Sequence, residues 1–182
     1  MKKIILLLAF LLYSAYAIPQ NNLPTFADMD WGISASAVKS KLTASGFTVS
    51  TDPDGDIKFE GKLLGYPAGG WAVIVNNRLI KVNAQILTPD HKARVVFNEM
   101  KDVLIEKYGS PSNVYEFFSS PYYEGDGYEE LAIKTGKGRF SIFWKTHLML
   151  TITEGLTVSL VYEAPDWEKE SERRKRRSTS VF

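Results

Sequence analysis

The chain has 182 residues, a formal net charge of +1, 24% charged residues and no cysteine. This length fits one domain with a sizeable core. The near-neutral charge lacks the basic footprint of nucleic-acid-binding proteins, so no specific nucleic acid is expected as a partner. Because cysteine is absent, disulfides, thiolate metal sites and thiol nucleophiles are excluded.

The first 17 residues have the pattern of a cleaved secretory signal. A short basic start is followed by an apolar run at 4–13, and Ala15 and Ala17 occupy the two positions that a signal peptidase reads. The apolar run is too short to span a membrane, which takes roughly 20 residues. We therefore expect a mature protein that begins at Ile18 and is periplasmic or secreted. No cysteine follows the signal, so a lipid anchor is not expected.

Two amphipathic helices are predicted in the mature chain. The first begins at the N-cap residue Ser34, buries Val38 and Leu42, and ends at Gly46. The second is capped by Thr88, has Pro89 at its first position, and ends at Gly109. Its apolar stripe is expected to consist of Val96, Met100, Val103, Leu104 and Tyr108.

Antiparallel strands are predicted after the first helix, at 57–64, 71–75 and 78–87. Asn76 and Asn77 tolerate positive φ and suit a two-residue turn between the last two strands. This turn would pair Trp71 with Val82. One buried face would then consist of Trp71, Val73, Val75, Ile80, Val82, Ala84 and Ile86.

Further strands are predicted after the second helix, at 113–118, 139–145, 148–153 and 156–162. Residues 130–134 are expected to form another short strand. In this interpretation Phe117 is buried by its strand.

The order of these elements predicts an α+β fold, since helices and strands do not alternate as in βαβ proteins. Residues 18–165 are expected to form a single domain of two helix-plus-antiparallel-strand units, at about 26–87 and 88–165. The helices are expected on one face of the sheet. Residues 166–182 are expected to form a charged tail that is disordered or a frayed helix.

Several short motifs carry a resemblance. Trp31-Gly32-Ile33, the segment 42–47, Gly-Lys-Leu-Leu-Gly-Tyr at 61–66 and Leu-Ile-Glu-Lys-Tyr-Gly-Ser-Pro at 104–111 resemble a group of uncharacterised exported bacterial proteins. The resemblance covers about 26–164. It implies a tandem helix-plus-antiparallel-sheet module, similar in architecture to beta-lactamase inhibitory proteins and small outer-membrane assembly lipoproteins. It implies no catalytic residue, and the chain lacks the lipoproteins' cysteine and the inhibitors' disulfides.

Residues suited to catalysis or metal binding are few. The two histidines, His91 and His147, have no ligand-type spacing to each other or to carboxylates. Asp-Pro-Asp-Gly-Asp at 52–56 offers oxygen ligands to Ca²⁺, but its glycine is misplaced for an EF-type loop and the same residues favour a plain turn. We predict no catalytic residue, metal or cofactor. The alternative is a hydrolase that uses Asp54, or Asp126 with Glu129.

The stretch at 115–130 is the best candidate for a binding surface, because it combines aromatic residues with acids on a Gly- and Ser-rich segment. Tyrosines on such loops give large contact area at low entropic cost. The alternative is that these rings pack in the core. The candidate binding residues are Tyr122, Tyr123, Asp126, Tyr128 and Glu129.

The tail holds a second candidate site, a run of cations that follows Glu168, Glu170 and Glu172. One interpretation is a solvated end without function. The other is a basic patch for an anionic surface of the cell envelope. The cations are Arg173, Arg174, Lys175, Arg176 and Arg177.

Together these features predict an exported, soluble, non-enzymatic binding module whose partner is a protein or a glycan. An inhibitor of an extracytoplasmic enzyme is the alternative, and it follows only from the resemblance in architecture.

Overall fold

The computed structural model describes residues 23–89, 91–145 and 147–179, so the predicted signal at 1–17 lies outside the described residues. Within them, eight strands form one antiparallel sheet. The strands are β1 (Thr48–Thr51), β2 (Ile57–Leu63), β3 (Tyr66–Val75), β4 (Arg78–Ile86), β5 (Asn113–Phe118), β6 (Gly138–Trp144), β7 (Leu148–Ile152) and β8 (Val158–Glu163). Across the sheet their order is β1-β2-β3-β4-β8-β7-β6-β5.

Four α-helices accompany the sheet in the described part of the chain: α1 (Ala35–Ala44), α2 (Ala93–Tyr108), α3 (Glu129–Lys134) and α4 (Trp167–Thr179). The mixed α+β class with antiparallel strands is therefore confirmed. Helix α1 contacts β1, β2 and β4, while α2 contacts β7 and β8. The buried side chains of both helices belong to one core cluster with those of the strands, so a single apolar core stabilises the whole sheet.

Two local predictions are confirmed by the backbone. The Ser34 hydroxyl accepts a hydrogen bond from the Ala37 N–H at 3.3 Å, as an N-cap residue does. Asn76 and Asn77 adopt φ of 50° and 60° between β3 and β4, which is the left-handed conformation expected for this turn.

The predicted burial of Trp71 is wrong. A β-bulge in β4 shifts the register between Val73 and Ile74, so Trp71 lies opposite Asn83 rather than Val82. Because side chains alternate along a strand, a shift of one residue moves Trp71 to the outer face, where it is 41% exposed. Val82, Ala84 and Ile86 of β4 are buried as predicted, and Ala68 and Ala72 of β3 face them in the core in place of Trp71.

The second helix begins later than predicted. Its first residue is Ala93, and the Thr88 hydroxyl donates to the Leu156 carbonyl oxygen instead of capping the helix. His91 adopts a positive φ of 62°, which interrupts a helical path from Thr88. Val103 is exposed, whereas the buried residues of α2 are Ala93, Val96, Phe97, Met100 and Leu104.

Two short elements differ from the prediction. The expected strand at 130–134 lies in helix α3, where Glu129 and Glu130 occupy the first turn and complement the helix dipole. The edge strand β1 had no clear sequence signal, because its four residues, Thr-Val-Ser-Thr, carry a single apolar side chain.

The tail is helical and packed against the sheet, unlike the disordered or frayed end that the sequence suggested. The Trp167 ring lies 4.2 Å from the Lys81 ammonium group, and the Ala164 N–H donates to the Ile80 carbonyl oxygen. Ile80, the extra residue of the β-bulge, is buried and lines one cleft with Glu170 of α4. Helix α4 therefore covers part of the sheet around this bulge.

Candidate functional site

The segment between β5 and α3, residues 119–128, contains the predicted binding tyrosines and is named here the aromatic loop. Tyr123 and Tyr128 are 66% and 61% exposed, and Tyr122 is half-buried. Phe117, which was predicted to be buried, is 46% exposed. Its neighbour Phe118 points to the other side of β5 and packs against Phe140 of β6 in the core, with ring centres 5.4 Å apart.

The candidate acids of this loop bind its own backbone. Asp126 accepts hydrogen bonds from the Tyr123 N–H at 3.0 Å and from the Tyr128 N–H at 2.7 Å. Glu129 accepts one from the Gly125 N–H at 2.9 Å. Such bonds between side chain and backbone define the turn conformation. Asp126 and Glu129 thus stabilise the loop, which is a role different from that of a hydrolytic acid–base pair.

Arg94 of α2 anchors the aromatic loop to the body. One guanidinium nitrogen donates to both carboxylate oxygens of Glu124, at 2.7 and 2.9 Å. The guanidinium group also lies over the rings of Phe118 and Phe140, 5.6 and 5.2 Å from their centres. This combination of an ion pair and cation–π contacts holds the loop against the start of α2.

A cleft of about 650 Å³ lies beside the loop, between the start of α2 and helix α3. Its apolar walls are the exposed side chains of Val95, Tyr128 and Leu131. At its mouth, His91 Nδ1 lies 3.1 Å from a carboxylate oxygen of Glu130. Exposed apolar groups bordered by polar ones are typical of surfaces that bind other molecules.

Sequence reasoning found the loop but missed the residues that fix its position. Arg94 and Glu124 are 30 positions apart, and no local pattern links them. Val95 and Leu131 also lie far apart along the chain, and their exposure follows from the late start of α2 and from the helical form of α3.

The cations of the tail are partly paired within α4. Arg173 and Arg174 both donate to the Glu170 carboxylate, at distances of 2.6 to 3.0 Å. The hydrogen bond from Arg173 is the main cause that lowers the pKa of Glu170 to about 2. Arg176 lies 3.4 Å from Glu172. The side chains of Lys175 and Arg177 lie outside the described residues.

Helix α4 also reaches the acidic turn at 52–56. Arg174 Nη1 lies 3.7 Å from one Asp56 carboxylate oxygen, and the other oxygen accepts the Ile74 N–H at 2.8 Å. Burial raises the pKa of Asp56. Asp52 accepts the N–H groups of Asp54 and Asp56 at 3.0 and 2.9 Å. Backbone amides thus occupy one oxygen each of Asp52 and Asp56, two of the carboxylates that were considered for Ca²⁺.

A larger cleft, of about 910 Å³, lies at the other end of α2. Several of its polar side chains are engaged with the chain itself, while the buried Trp31 indole N–H has no hydrogen-bond partner among the described residues. The Tyr108 hydroxyl donates to the Thr25 carbonyl oxygen at 2.7 Å, and Lys107 pairs with Asp28 at 2.9 Å. The groups that line this cleft therefore hold the 3₁₀ turn at Phe26–Asp28 against α2, and the aromatic loop remains the better candidate.

Comparison of the chain with protein-family models, with curated proteins and with solved structures gives no match. Among the described residues, no three or more His, Asp or Glu side chains are placed to hold a metal ion. No helix in the same part of the chain is both long and apolar enough to cross a membrane. Any functional conclusion therefore depends on the geometry of the site.

Proposed function

We propose that the protein is an exported, non-enzymatic binding module and that its aromatic loop recognises another protein. The observation that carries this proposal is the exposure of Tyr123 and Tyr128 on a loop in which the Asp126 carboxylate accepts the backbone N–H groups of both tyrosines. Exposed rings contribute little to folding, whereas aromatic residues dominate the energy of many interfaces. Export is proposed from residues 1–17.

The rigidity of the loop supports this proposal. Binding is weakened when a flexible loop must be ordered, and preorganisation removes part of that entropic cost. Asp126 fixes both ends of the segment from Tyr123 to Tyr128, and the Arg94–Glu124 pair fixes its middle to α2. The two rings are thus held in place before a partner arrives.

The cleft beside Tyr128 favours a protein partner over a glycan. Its Val95 and Leu131 walls can accept an apolar side chain, and His91, Glu130 and Lys134 at its border can pair with polar or charged groups. A peptide offers both kinds of group, whereas a glycan offers mainly hydroxyls. An apolar anchor surrounded by a polar rim is the usual arrangement of a protein interface.

We also infer the predicted tandem arrangement. Helix α1 is followed by β1 to β4 and α2 by β5 to β8, and the last strands of the two units, β4 and β8, pair at the centre of the sheet. The shared core cluster of α1 and α2 supports helices on one face of the sheet. In this arrangement the aromatic loop belongs to the outer end of the second unit.

The proposal can be tested with two defined probes, a displayed library of peptides and an array of bacterial envelope glycans. We expect selected peptides to bind the natural protein and to lose binding to the double variant Tyr123→Ser/Tyr128→Ser. The matched control is Leu87→Ser, which removes an equally exposed apolar side chain from the first unit. Glycan binding that is lost in the same variant would place a glycan in this site. Binding that survives the double change would overturn the proposal.

A further inference from the structure

Strand β5 is an edge of the sheet with an unusually apolar surface. It pairs with β6 alone, and its first five residues are exposed. Its apolar side chains Val114, Tyr115 and Phe117 are 52%, 37% and 46% exposed. The opposite edge, β1, is two residues shorter and mostly Ser and Thr. The two edges therefore differ in how strongly they favour the addition of another strand.

Natural proteins protect edge strands with proline, charged side chains, bulges or very short strands. Residues 113–118 contain no proline, and their one charged side chain, Glu116, is paired with Lys101 of α2. The pairing of β5 with β6 runs from Asn113 to Phe118 without a register shift. An edge with so little protection can pair with another extended chain through its backbone.

We propose that β5 pairs antiparallel with β5 of a second copy of this chain, about a two-fold axis at Glu116. This register places Tyr115 opposite Phe117 and Val114 opposite Phe118, each pair occurring twice. Aromatic and aliphatic pairs directly opposite one another stabilise antiparallel strands. The inference uses the strand and not the aromatic loop, so it does not depend on the proposed function.

The register follows from the pattern of the strand. Residues directly opposite one another in an antiparallel pair point to the same face of the sheet, whereas sequence neighbours point to opposite faces. A two-fold axis perpendicular to the sheet must therefore lie between two copies of the same residue. An axis at Tyr115 would set Val114 against Glu116 and Phe117 against Asn113, and it would lose the apolar pairs. With the axis at Glu116 two carboxylates meet, but each lies 3.0 Å from the Lys101 ammonium group of its own copy. The four charges therefore balance.

The two ends of the strand are complementary in charge. At its beginning, the Lys145 N–H donates to the Ser112 hydroxyl, and the Lys145 side chain is exposed. The segment after its end, residues 119–133, contains four carboxylates and no cation, although Arg94 of α2 pairs with one of them, Glu124. Antiparallel pairing brings the acidic segment of one copy to the Lys145 end of the other, which favours this orientation.

The contact is small, since in this register only residues 114–118 of each strand find a partner within β5 of the other copy. Interfaces below about 1,200 Å² belong to weak or transient complexes. We therefore expect a monomer–dimer equilibrium that depends on concentration.

The absence of cysteine allows a direct test with single-cysteine variants. Opposite residues of paired strands lie roughly 4.5–5.5 Å apart at Cβ, close enough for a disulfide after small adjustments. Under mild oxidation, Glu116→Cys should form a disulfide-linked dimer, because this position meets itself at the axis. The matched control Ser50→Cys, an exposed position on β1, should stay mainly monomeric. Equal cross-linking of both variants would overturn the proposal.

Sedimentation equilibrium of the full mature chain provides a second measurement that needs no new disulfide. Phe117→Lys should raise the dimer dissociation constant about tenfold or more, because it places a charge in both aromatic pairs. The control Val103→Lys changes an exposed apolar side chain on α2 and should leave the equilibrium unchanged. A natural protein that is monomeric at all concentrations, or a dimer unaffected by Phe117→Lys, would contradict the pairing through β5.

Discussion

At each outer end of the sheet an edge strand pairs antiparallel with one neighbour, but the surfaces of the two ends are very different. At one end, β1 connects to β2 through the turn at 52–56, and Asp56 of this turn faces Arg174 of α4. At the other end, β5 connects to β6 through the 19 residues 119–137, which hold the aromatic loop and α3. The first end carries a short, polar edge strand, while the second presents exposed rings. We therefore propose that one core stabilises the whole sheet and that binding is concentrated at the β5 end.

The largest losses of stability should come from substitutions in the core, and they should be similar at the two ends of the sheet. Phe59 of β2 and Phe97 of α2 are fully buried in the same cluster. Each change to Ala should lower the free energy of unfolding by about 3–5 kcal/mol, through lost burial and a residual cavity. Denaturant titrations should show one transition in both variants. Two separable transitions would mean that the ends fold independently.

Removal of helix α4 should have the next largest effect. Truncation after Pro165 would expose Ile80, remove the Trp167 ring from Lys81 and remove the Arg174 guanidinium group from Asp56. We expect a loss of about 1–3 kcal/mol, measured as a lower melting temperature. An unchanged melting temperature would mean that α4 does not stabilise the β1 end. The sequence alone predicted a tail that is disordered or a frayed helix, and removal of such a tail would leave the melting temperature unchanged.

Acid should weaken helix α4 in a defined range of pH, because the Glu170 carboxylate pairs with Arg173 and Arg174 of the same helix. The pKa of Glu170 falls from 4.5 to about 2 in the folded chain. A carboxyl with a lowered pKa adds stability above its unfolded value and loses that contribution as the pH falls through its folded value. Melting temperatures of the natural protein and of Glu170→Gln should therefore differ most above pH 4.5 and converge toward pH 2. If the two melting temperatures differ by the same amount across this range, ionisation of Glu170 does not contribute to stability.

The smallest effect on stability should follow from Trp71→Ala. The ring lies on the outer face and is 41% exposed, so we expect a loss of about 1 kcal/mol or less. The register inferred from the sequence predicts a core tryptophan and a loss of about 3–5 kcal/mol. Denaturant titration of this single variant therefore distinguishes the two registers.

The sequence was sufficient where local chemistry decides the structure. The Ser34 cap and the Asn76-Asn77 turn follow from side-chain hydrogen bonding and from tolerance of positive φ, and both are present. Alternating apolar residues predicted β4, β6, β7 and β8 to within a few residues. These signals act over one turn or one strand, so neighbouring residues are enough to read them.

The errors arose where distant residues decide the structure. The bulge at Ile80 reverses the face on which Trp71 lies, although strands on both sides of the turn at Asn76 and Asn77 were predicted. Helix α3 has only six residues, too few for periodicity to separate a helix from a strand. The contact of Arg94 with Glu124 and that of α4 with the turn at 52–56 join segments that no sequence motif connects.

Hydrogen exchange with and without a selected ligand tests the central claim most directly, since it compares the two ends within one sample. The ligand is a peptide obtained from the displayed library, and the protein is kept dilute so that self-association does not contribute. We predict that the ligand slows amide exchange at 119–134, and that exchange at 48–60 stays unchanged. Protection at 48–60 with none at 119–134 would contradict the assignment of binding to the β5 end.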